Sequence, residues 1–142
     1  MKEREKKLNE RILTHDDLRR YDRQMRLDGW GEEGQKKLKN SCVFVSGVGG
    51  LGSSVTIYLT VAGVGKIRLC DFDVADLSNL NRQILHHDAR IGEKKALSAK
   101  KTLNTLNPNV IIEEFPVKLT DENVDELVGE SHIIVDCLDN FP

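Results

Sequence analysis

Long apolar runs are missing from this 142-residue chain, and so is a charge excess of either sign. No apolar stretch approaches the ~20 residues of a membrane-spanning helix, and the first residues show no secretory signal pattern, so we expect no membrane contact. The 21 basic side chains nearly balance the 23 acidic ones. Because a field of one sign is lacking, the sequence does not favour nucleic acid as a partner.

Cysteine is also scarce: Cys42, Cys70 and Cys137 are the only three, and no C-x-x-C pair occurs. Structural zinc sites commonly use such pairs, so we expect no zinc in this chain. Each cysteine lies in an apolar, strand-like segment, which predicts buried thiols in a reducing, cytoplasmic protein. No neighbouring base along the sequence marks any of them as a nucleophile.

The chain is organised around a short apolar strand that runs into a glycine turn and then a helix. Cys42–Ser46 lacks polar alternation, which is typical of a central strand in a parallel sheet. Gly47, Gly49 and Gly52 form the pattern G-x-G-x-x-G, and no proline occurs before Gly63, which can end the helix. Such glycines permit a tight turn, a close approach to phosphate and close helix packing. We therefore predict a nucleotide site, with a purely structural turn as the alternative.

Helices and strands alternate along the rest of the chain. We predict further strands over 66–71, 110–115 and 132–137, and helices over 14–26, 32–40, 51–62, 92–107 and 120–128. Residues 1–40 would form an N-terminal arm with lead-in helices, and 41–142 a nucleotide-binding domain. Right-handed crossovers then give a doubly wound, Rossmann-like α/β fold, a parallel sheet of four strands in order 3-2-1-4.

Polar residues follow the strand ends, where ligands bind in such sheets. Asp71 ends the second strand, where an acid can hold both hydroxyls of a ribose; an exposed aspartate is the alternative. Asp139 follows the fourth strand. His86 and His87 lie in a polar loop and are interpreted as surface histidines rather than metal ligands. These residues do not distinguish NAD from ATP.

Four lysines, at positions 94, 95, 100 and 101, crowd the first half of the helix predicted over 92–107. Cations near a helix start oppose the helix dipole. This pattern indicates either a nearby anion or a solvated lysine face.

Several ordered motifs resemble the ubiquitin-activating enzyme superfamily, and within it the ThiF, MoeB and HesA-like adenylyltransferases. The resemblance runs from about Asp17 to the last residue. It rests on Arg-Tyr-Asp-Arg-Gln at 20–24, Gly-Gln at 34–35, Gly-Val-Gly-Gly-Leu-Gly-Ser at 47–53, Asp-Phe-Asp at 71–73, Ser-Asn-Leu-Asn-Arg-Gln at 78–83, Gly-Glu-Lys-Lys at 92–95, Asn-Pro at 107–108 and Asp-Cys-Leu-Asp-Asn at 136–140.

The resemblance implies ATP-dependent adenylation. The C-terminal Gly-Gly carboxylate of a small ubiquitin-like, ThiS/MoaD-like sulfur carrier attacks the α-phosphorus of ATP, pyrophosphate leaves, and an acyl-adenylate remains. Such chemistry needs positioning and charge neutralisation more than covalent help from the protein. The resemblance also implies Mg²⁺ and a homodimer.

Site residues carry over by position in the motifs. The glycine turn, Gly47 with Gly49, Gly50 and Gly52, would cradle phosphate. Asp71 would hold the ribose and Asp139 the Mg²⁺ on the leaving pyrophosphate. Arg23 would reach the partner subunit's ATP, although its helix alone predicts only a solvated basic face. Phosphate contacts would come from Asn79, Arg82, Gln83 and Lys95, and Asp73 would support Arg82 or the metal.

The sequence departs from the family pattern after the Asp-Asn motif, where relatives continue with further strands and often zinc ligands and an acceptor cysteine. We therefore expect the fourth strand to expose apolar surface, and the chain to be a fragment, truncated at its C-terminal side, or to depend on dimerisation. Thioester formation and sulfur transfer are not assigned to it.

Other functions compete with adenylation. A non-catalytic scaffold subunit is disfavoured because Arg82, Lys95 and Asp139 are all present. An NAD-binding oxidoreductase leaves Arg82, Gln83 and Lys95 without a role. A relative that adenylates a carboxylate bound to tRNA is disfavoured by the neutral overall charge.

Overall fold

The computed structural model describes residues 10–139, which fold around a parallel four-stranded sheet. Its strands are β1 Cys42–Ser46, β2 Lys66–Cys70, β3 Ile111–Phe115 and β4 Ile133–Asp136. The helices are α1 His15–Arg20, α2 Asp22–Met25, α3 Gly31–Lys39, α4 Gly50–Ala62, α5 Lys95–Leu106 and α6 Val124–Val128, with 3-10 helices at Leu77–Asn79 and Asp88–Arg90. The strand order β3-β2-β1-β4 confirms the predicted doubly wound topology. Within residues 10–139, no helix has the length and apolar character needed to cross a membrane.

The core is divided between the two faces of the sheet, because successive side chains along a strand point to opposite faces. Val43 and Val45 of β1 belong to the larger cluster, which also contains Ala99 and Leu103 of α5. Phe44 points the other way into a small cluster closed by α6. The larger cluster therefore holds α4 and α5 against the same face of the sheet.

The N-terminal helices dock at the amino ends of the strands, where α4 ends. The Ala62 carbonyl accepts hydrogen bonds from the side-chain amides of Gln35, at 3.0 Å, and Gln24, at 2.8 Å. Tyr21 is 4% exposed, and its hydroxyl accepts a 2.8 Å hydrogen bond from the Asn107 amide. This docking places α1–α3 at the opposite end of α4 from the glycine turn.

One of the two helix predictions near the N-terminus needs correction. The predicted start at Thr14 is confirmed by a capping box with Asp17, but Tyr21 interrupts the helix and separates α1 from α2. The helix predicted over 32–40 is observed as α3, which begins one residue earlier, at Gly31, and contains Gly34. A Cβ added to Gly34 would lie 3.0 Å from the Trp30 ring, so this glycine makes room for the aromatic side chain.

Two later helices begin further along the chain than predicted. Gly92 has a φ of 89°, in the left-handed region, and the helix begins only at Lys95. Before α6, the Asn123 side chain accepts a 2.8 Å hydrogen bond from the Thr120 amide, which closes a turn. α6 therefore begins at Val124.

Apolar side chains of β4 face solvent, as the sequence predicted. Ile133 is 54% exposed and Ile134 is 59% exposed, and these neighbours lie on opposite faces of the strand. The exposed apolar surface therefore extends over both faces of this edge strand.

Candidate nucleotide site

A cavity of about 830 Å³ lies at the carboxyl ends of β1, β2 and β4. The strands that follow β1 lie on both sides of it: β2 and β3 on one side and β4 on the other. Ligands bind open α/β sheets at such reversals of strand order. Nine of the twelve residues predicted for the site line the cavity. They are Gly47, Gly49, Gly50, Asp71, Asp73, Arg82, Gln83, Lys95 and Asp139.

The glycine turn needs glycine at two positions for different reasons. Gly47 has a φ of 84°, and a Cβ there would lie 2.9 Å from the Cys137 carbonyl oxygen. A Cβ at Gly52 would lie 1.9 Å from the Gly47 carbonyl oxygen, so this glycine permits the close packing of helix and turn. α4 begins at Gly50 with no side-chain cap and no acidic residue in its first turn. Its N-terminus therefore favours an anion in the cavity.

The Asp71 carboxylate braces the turn from the end of β2. Its Oδ2 accepts a 2.9 Å hydrogen bond from the Val48 amide, and its Oδ1 accepts one of 2.8 Å from the Asp73 amide. An ionised carboxylate has about four acceptor positions, so two remain. Asp71 can therefore hold the turn and still accept bonds from a pair of ligand hydroxyls.

Lys95 is a nearly buried cation at the first position of α5. Its side chain is 7% exposed, and its Nζ lies 3.2 Å from Oδ2 of Asp73, which is half exposed. The partial positive charge at the N-terminus of α5 also opposes this cation, and no acidic residue in the first turn offsets it. Lys100 and Lys101, in contrast, pair with Glu114 and Glu93. The sequence left two explanations for the lysines at the start of this helix. A nearby anion fits Lys95, whereas Lys100 and Lys101 are lysines paired with glutamates.

Gln83 presents an unpaired acceptor beside the glycine turn. The residue is 5% exposed, and its Oε1 is buried without a hydrogen-bond partner in the described structure. Its Nε2 lies 3.3 Å from the position that a Cβ would take on Gly49. Buried polar groups are nearly always satisfied, so this amide is suited to a bound ligand that carries a donor.

Arg82 reaches the mouth of the cavity from an exposed position. Its Nη1 donates to the Ser78 carbonyl at 3.2 Å and to the Asn81 side chain at 3.0 Å. Its alkyl carbons lie 3.7–3.8 Å from the position of a Cβ on Gly50. The guanidinium has five donors, so most remain for an anion.

Asp139 lines the cavity but is not part of a preformed metal cage. Among the described residues, no group of three His, Cys, Asp or Glu side chains could hold a metal ion. Mg²⁺ is commonly bound through one or two carboxylates together with substrate phosphates. One carboxylate beside a cation-lined cavity of nucleotide size fits that kind of site.

Three predicted residues lie outside the cavity lining: Arg23, Asn79 and Gly52. Gly52 has the packing role described above. The Asn79 side chain accepts a 3.2 Å hydrogen bond from the Asp76 amide within the loop. Arg23 lies on α2, and α4 with its 13 residues separates that helix from the turn by roughly 20 Å. It therefore cannot reach the cavity of its own chain.

His86 contradicts its prediction as a surface histidine. It is 4% exposed and bridges the Val48 carbonyl, 3.1 Å from Nε2, and the Ser98 hydroxyl, 2.9 Å from Nδ1. His87 is exposed, as predicted. The loop sequence has no periodic pattern that would show which of the two histidines is buried. The only sign in the sequence is that His86 follows closely after Arg82 and Gln83.

The buried cysteines behave as structural thiols. Cys70 and Cys137 are buried and Cys42 is half-buried, and all three are free. Burial, followed by the charge of Asp71, raises the pKa of Cys70 to about 11. Burial likewise raises the pKa of Cys137. Neither thiol is poised to form a thiolate, although both line the cavity.

The fold and the cavity together define a Rossmann-like α/β domain with a ligand crevice at the reversal of strand order. The chain belongs to the ThiF family, whose model matches residues 21–142. This confirms the resemblance seen in the sequence.

Relatives in the family include two bacterial adenylyltransferases. The chain is 47% identical over 129 residues to a sulfur carrier protein adenylyltransferase of Thermus thermophilus, covering 91% of this chain and 48% of that protein. It is 44% identical over 128 residues to a molybdopterin-synthase adenylyltransferase of Haemophilus influenzae, covering 90% and 53%. The chain thus spans about half the length of these curated relatives.

A solved structure supports the same fold. The Escherichia coli tRNA N6-threonylcarbamoyladenosine dehydratase TcdA, in complex with ATP, has a TM-score of 0.85 to this chain at 25% identity. The match covers 92% of this chain and 53% of that protein.

Proposed function

We propose that this chain catalyses ATP-dependent adenylation of the C-terminal carboxylate of a small ubiquitin-like sulfur carrier protein ending in Gly-Gly. A carboxylate oxygen attacks the α-phosphorus of ATP, and the bond between that phosphorus and the bridging oxygen to the β-phosphate breaks. Pyrophosphate leaves with the bond electrons, and the carrier keeps AMP as a mixed anhydride. No oxidant or reductant is needed.

One observation carries this proposal: buried Lys95, the unpaired Gln83 amide and Arg82 converge on the glycine turn at the start of α4. Two cations beside a helix N-terminus suit a polyphosphate, whose negative charge must be neutralised for pyrophosphate to leave. An NAD site would use the turn and Asp71 but would give these three side chains no role. The names of the relatives support adenylation.

Each cavity residue has a defined task under this proposal. The turn and the start of α4 bind phosphate through backbone N–H groups, and Asp71 accepts from the ribose hydroxyls. Arg82 and Lys95 neutralise the phosphates, Nε2 of Gln83 donates to one of them, and its unpaired Oε1 accepts from a donor on the nucleotide. Asn79, whose amide nitrogen is not used in the loop bond, would join them only after rotation toward the cavity. Asp73 positions Lys95 through their ion pair.

Asp139 is the residue proposed to hold Mg²⁺. The ion would supply charge neutralisation on the leaving pyrophosphate. A single carboxylate suffices because Mg²⁺ takes its other ligands from phosphates and water.

A second copy of the chain would complete the site, because Arg23 cannot reach the cavity of its own chain. One face of α4 is exposed and uncharged; we call it the α4 stripe, formed by Leu51, Ser54, Tyr58 and Val61. These residues recur at three- and four-residue intervals and therefore lie on one side of the helix. Antiparallel packing of two α4 stripes about a two-fold axis would bring α2 of one subunit beside the glycine turn of the other.

Nucleotide choice is tested by calorimetric titration with Mg-ATP and, separately, with NAD. We expect micromolar binding of Mg-ATP and no heat from NAD. Binding of NAD alone would overturn the proposal in favour of an oxidoreductase domain.

Catalysis is separated from a scaffold role by replacing Asp139. Asp139→Ala should abolish transfer of AMP to the carrier while ATP binding persists, and Asp139→Glu should restore part of the rate. Unchanged turnover in Asp139→Ala would remove this residue from the site. No turnover in the wild type, despite ATP binding, would favour the scaffold.

A further inference from the structure

His86 is a buried titratable residue that the proposed reaction does not use. It lies in the loop between the two 3-10 helices, and its ring is enclosed by the glycine turn and α5. Buried histidines are uncommon without partners, and both ring nitrogens here have one. The side chain therefore occupies a specific position between two parts of the nucleotide site.

The two hydrogen bonds define one neutral tautomer. The Val48 carbonyl can only accept, so Nε2 carries the proton and donates to it. Nδ1 then has a free lone pair and accepts from the Ser98 hydroxyl. A protonated ring has no acceptor, so the Ser98 hydroxyl would have to reverse and accept from Nδ1, and its own proton would lose its partner.

These bonds connect the two halves of the phosphate-binding region. Val48 belongs to the glycine turn, and its amide is held by Asp71. Ser98 lies one helical turn after Lys95 on α5, and both are buried. The imidazole thus links the turn that supplies backbone donors to the helix that supplies the buried cation.

We propose that His86 is a positioning residue for the nucleotide site, whose neutral imidazole holds the glycine turn in register with α5. It does not touch the nucleotide itself; it fixes the distance between the turn and Lys95. This inference rests on the proposed nucleotide-binding function and extends it to a residue outside the cavity lining.

The link makes the site sensitive to pH. Burial is the main cause that lowers the pKa of His86 below its ordinary 6.5; the Val48 bond opposes this, Lys95 and Arg90 add to it, and Asp71 opposes it. The ring is therefore neutral at pH 7 and above. As the pH falls below 6.5 towards the lowered value, a proton on Nδ1 reverses the Ser98 bond and places a cation that repels Lys95. Nucleotide binding and folding stability should both weaken in that direction, since the unfolded chain takes up the proton first.

Three variants separate positioning from simple packing. His86→Gln keeps one donor and one acceptor but cannot ionise, His86→Phe keeps a ring without either bond, and Ser98→Ala removes the hydroxyl alone. We expect Mg-ATP affinity to fall roughly tenfold in His86→Phe, a few-fold in Ser98→Ala, and least in His86→Gln.

The pH profile supplies the decisive comparison. As the pH falls below 6.5, the ratio of the wild-type affinity for Mg-ATP to that of His86→Gln should fall. Protonation of the nucleotide is common to both proteins and cancels in this ratio. Parallel profiles would overturn the proposal.

A readout without nucleotide keeps this test separate from the proposed function. Amide hydrogen exchange at Val48 and Gly49 should accelerate in His86→Phe and in Ser98→Ala, and His86→Gln should stay near the wild type. Unchanged exchange at the turn would overturn the positioning role even if the variants bind ATP poorly. Accelerated exchange in these variants, together with a wild type that binds no ATP at any pH, would retain the link but remove the nucleotide function.

Discussion

At the residue scale, the burial of Lys95 is the feature that points most directly to an anionic ligand. A lysine is rarely buried without a partner that justifies its desolvation, and Asp73, its ion-pair partner among residues 10–139, is half exposed. The position at the start of α5 adds an unfavourable dipole. A bound polyanion would relieve both problems, which makes Lys95 a better indicator of the ligand than the glycine pattern alone.

Lys95→Met should weaken Mg-ATP binding by about tenfold to a hundredfold, because a charge-assisted bond to phosphate is lost. The free energy of unfolding should change little or rise, since a buried cation is replaced by an apolar side chain of similar length. Calorimetry and denaturant titration measure the two quantities. Lys101→Met is the matched control on the same helix, where the lysine pairs with Glu93 away from the cavity. Equal loss of affinity in both variants would contradict the assigned role.

Which residues could be predicted depends on whether the sequence pattern or the packing decides their environment. Asp71 could be placed because it ends a recognisable strand. The burial of His86 could not, because it depends on Ser98, twelve residues away, and on the Val48 carbonyl across the turn. The unpaired Gln83 oxygen is likewise visible only once its surroundings are folded.

At the element scale, the glycine turn and α4 form the unit that positions the site. The Gly47 carbonyl sits where a Cβ on Gly52 would be, so strand end and helix start touch through backbone atoms. The contact draws the N-terminus of α4 against the carboxyl ends of the strands. Phosphate binding and helix packing therefore depend on the same few residues.

Gly52→Ala should lower the free energy of unfolding by about 1–3 kcal/mol, because its methyl group would overlap the Gly47 carbonyl oxygen at 1.9 Å. Gly50→Ala is the matched control: its Cβ would meet only Arg82 carbons at 3.7 Å, an ordinary contact, and alanine favours a helix by about 1 kcal/mol. Urea unfolding of both variants checks the difference. A Gly52→Ala protein as stable as the wild type would refute the close packing.

Element types and order could be predicted from sequence, and several boundaries could not. Apolar strands alternating with helical segments restrict the topology to few choices, and the order 3-2-1-4 follows. Two helix starts moved because local backbone geometry decided them: Gly92 has a positive φ before α5, and the Asn123 side chain closes a turn before α6.

At the scale of the whole molecule, β4 and the α4 stripe are two of the places where large apolar side chains are exposed. Contiguous exposed apolar surface commonly marks an interface. The α4 stripe connects the end that carries Arg23 with the end that carries the glycine turn, so a symmetric dimer could serve two sites at once. That the chain is a fragment, or depends on association to cover β4, stays a prediction.

Mixing two inactive variants tests the shared site. Arg23→Ala removes the arginine given to the partner, and Lys95→Ala disables the chain's own cavity. Random exchange makes half of the dimers mixed, each with one intact site, so roughly a quarter of the wild-type rate should return. No recovery, with mixed dimers verified by sedimentation, would place Arg23 outside the site, and a stable, well-folded monomer would contradict the dimer.

The most direct test of adenylation is isotope exchange between labelled pyrophosphate and ATP in the presence of a ThiS-like carrier. The carrier is supplied in two forms, one with the free Gly-Gly carboxylate and one with that carboxylate converted to an amide. We expect exchange with the free carboxylate and none with the amide, because only the carboxylate can attack the α-phosphorus and be released again. Equal exchange with both forms, or none with either from a chain that binds Mg-ATP, would contradict adenylation by this chain.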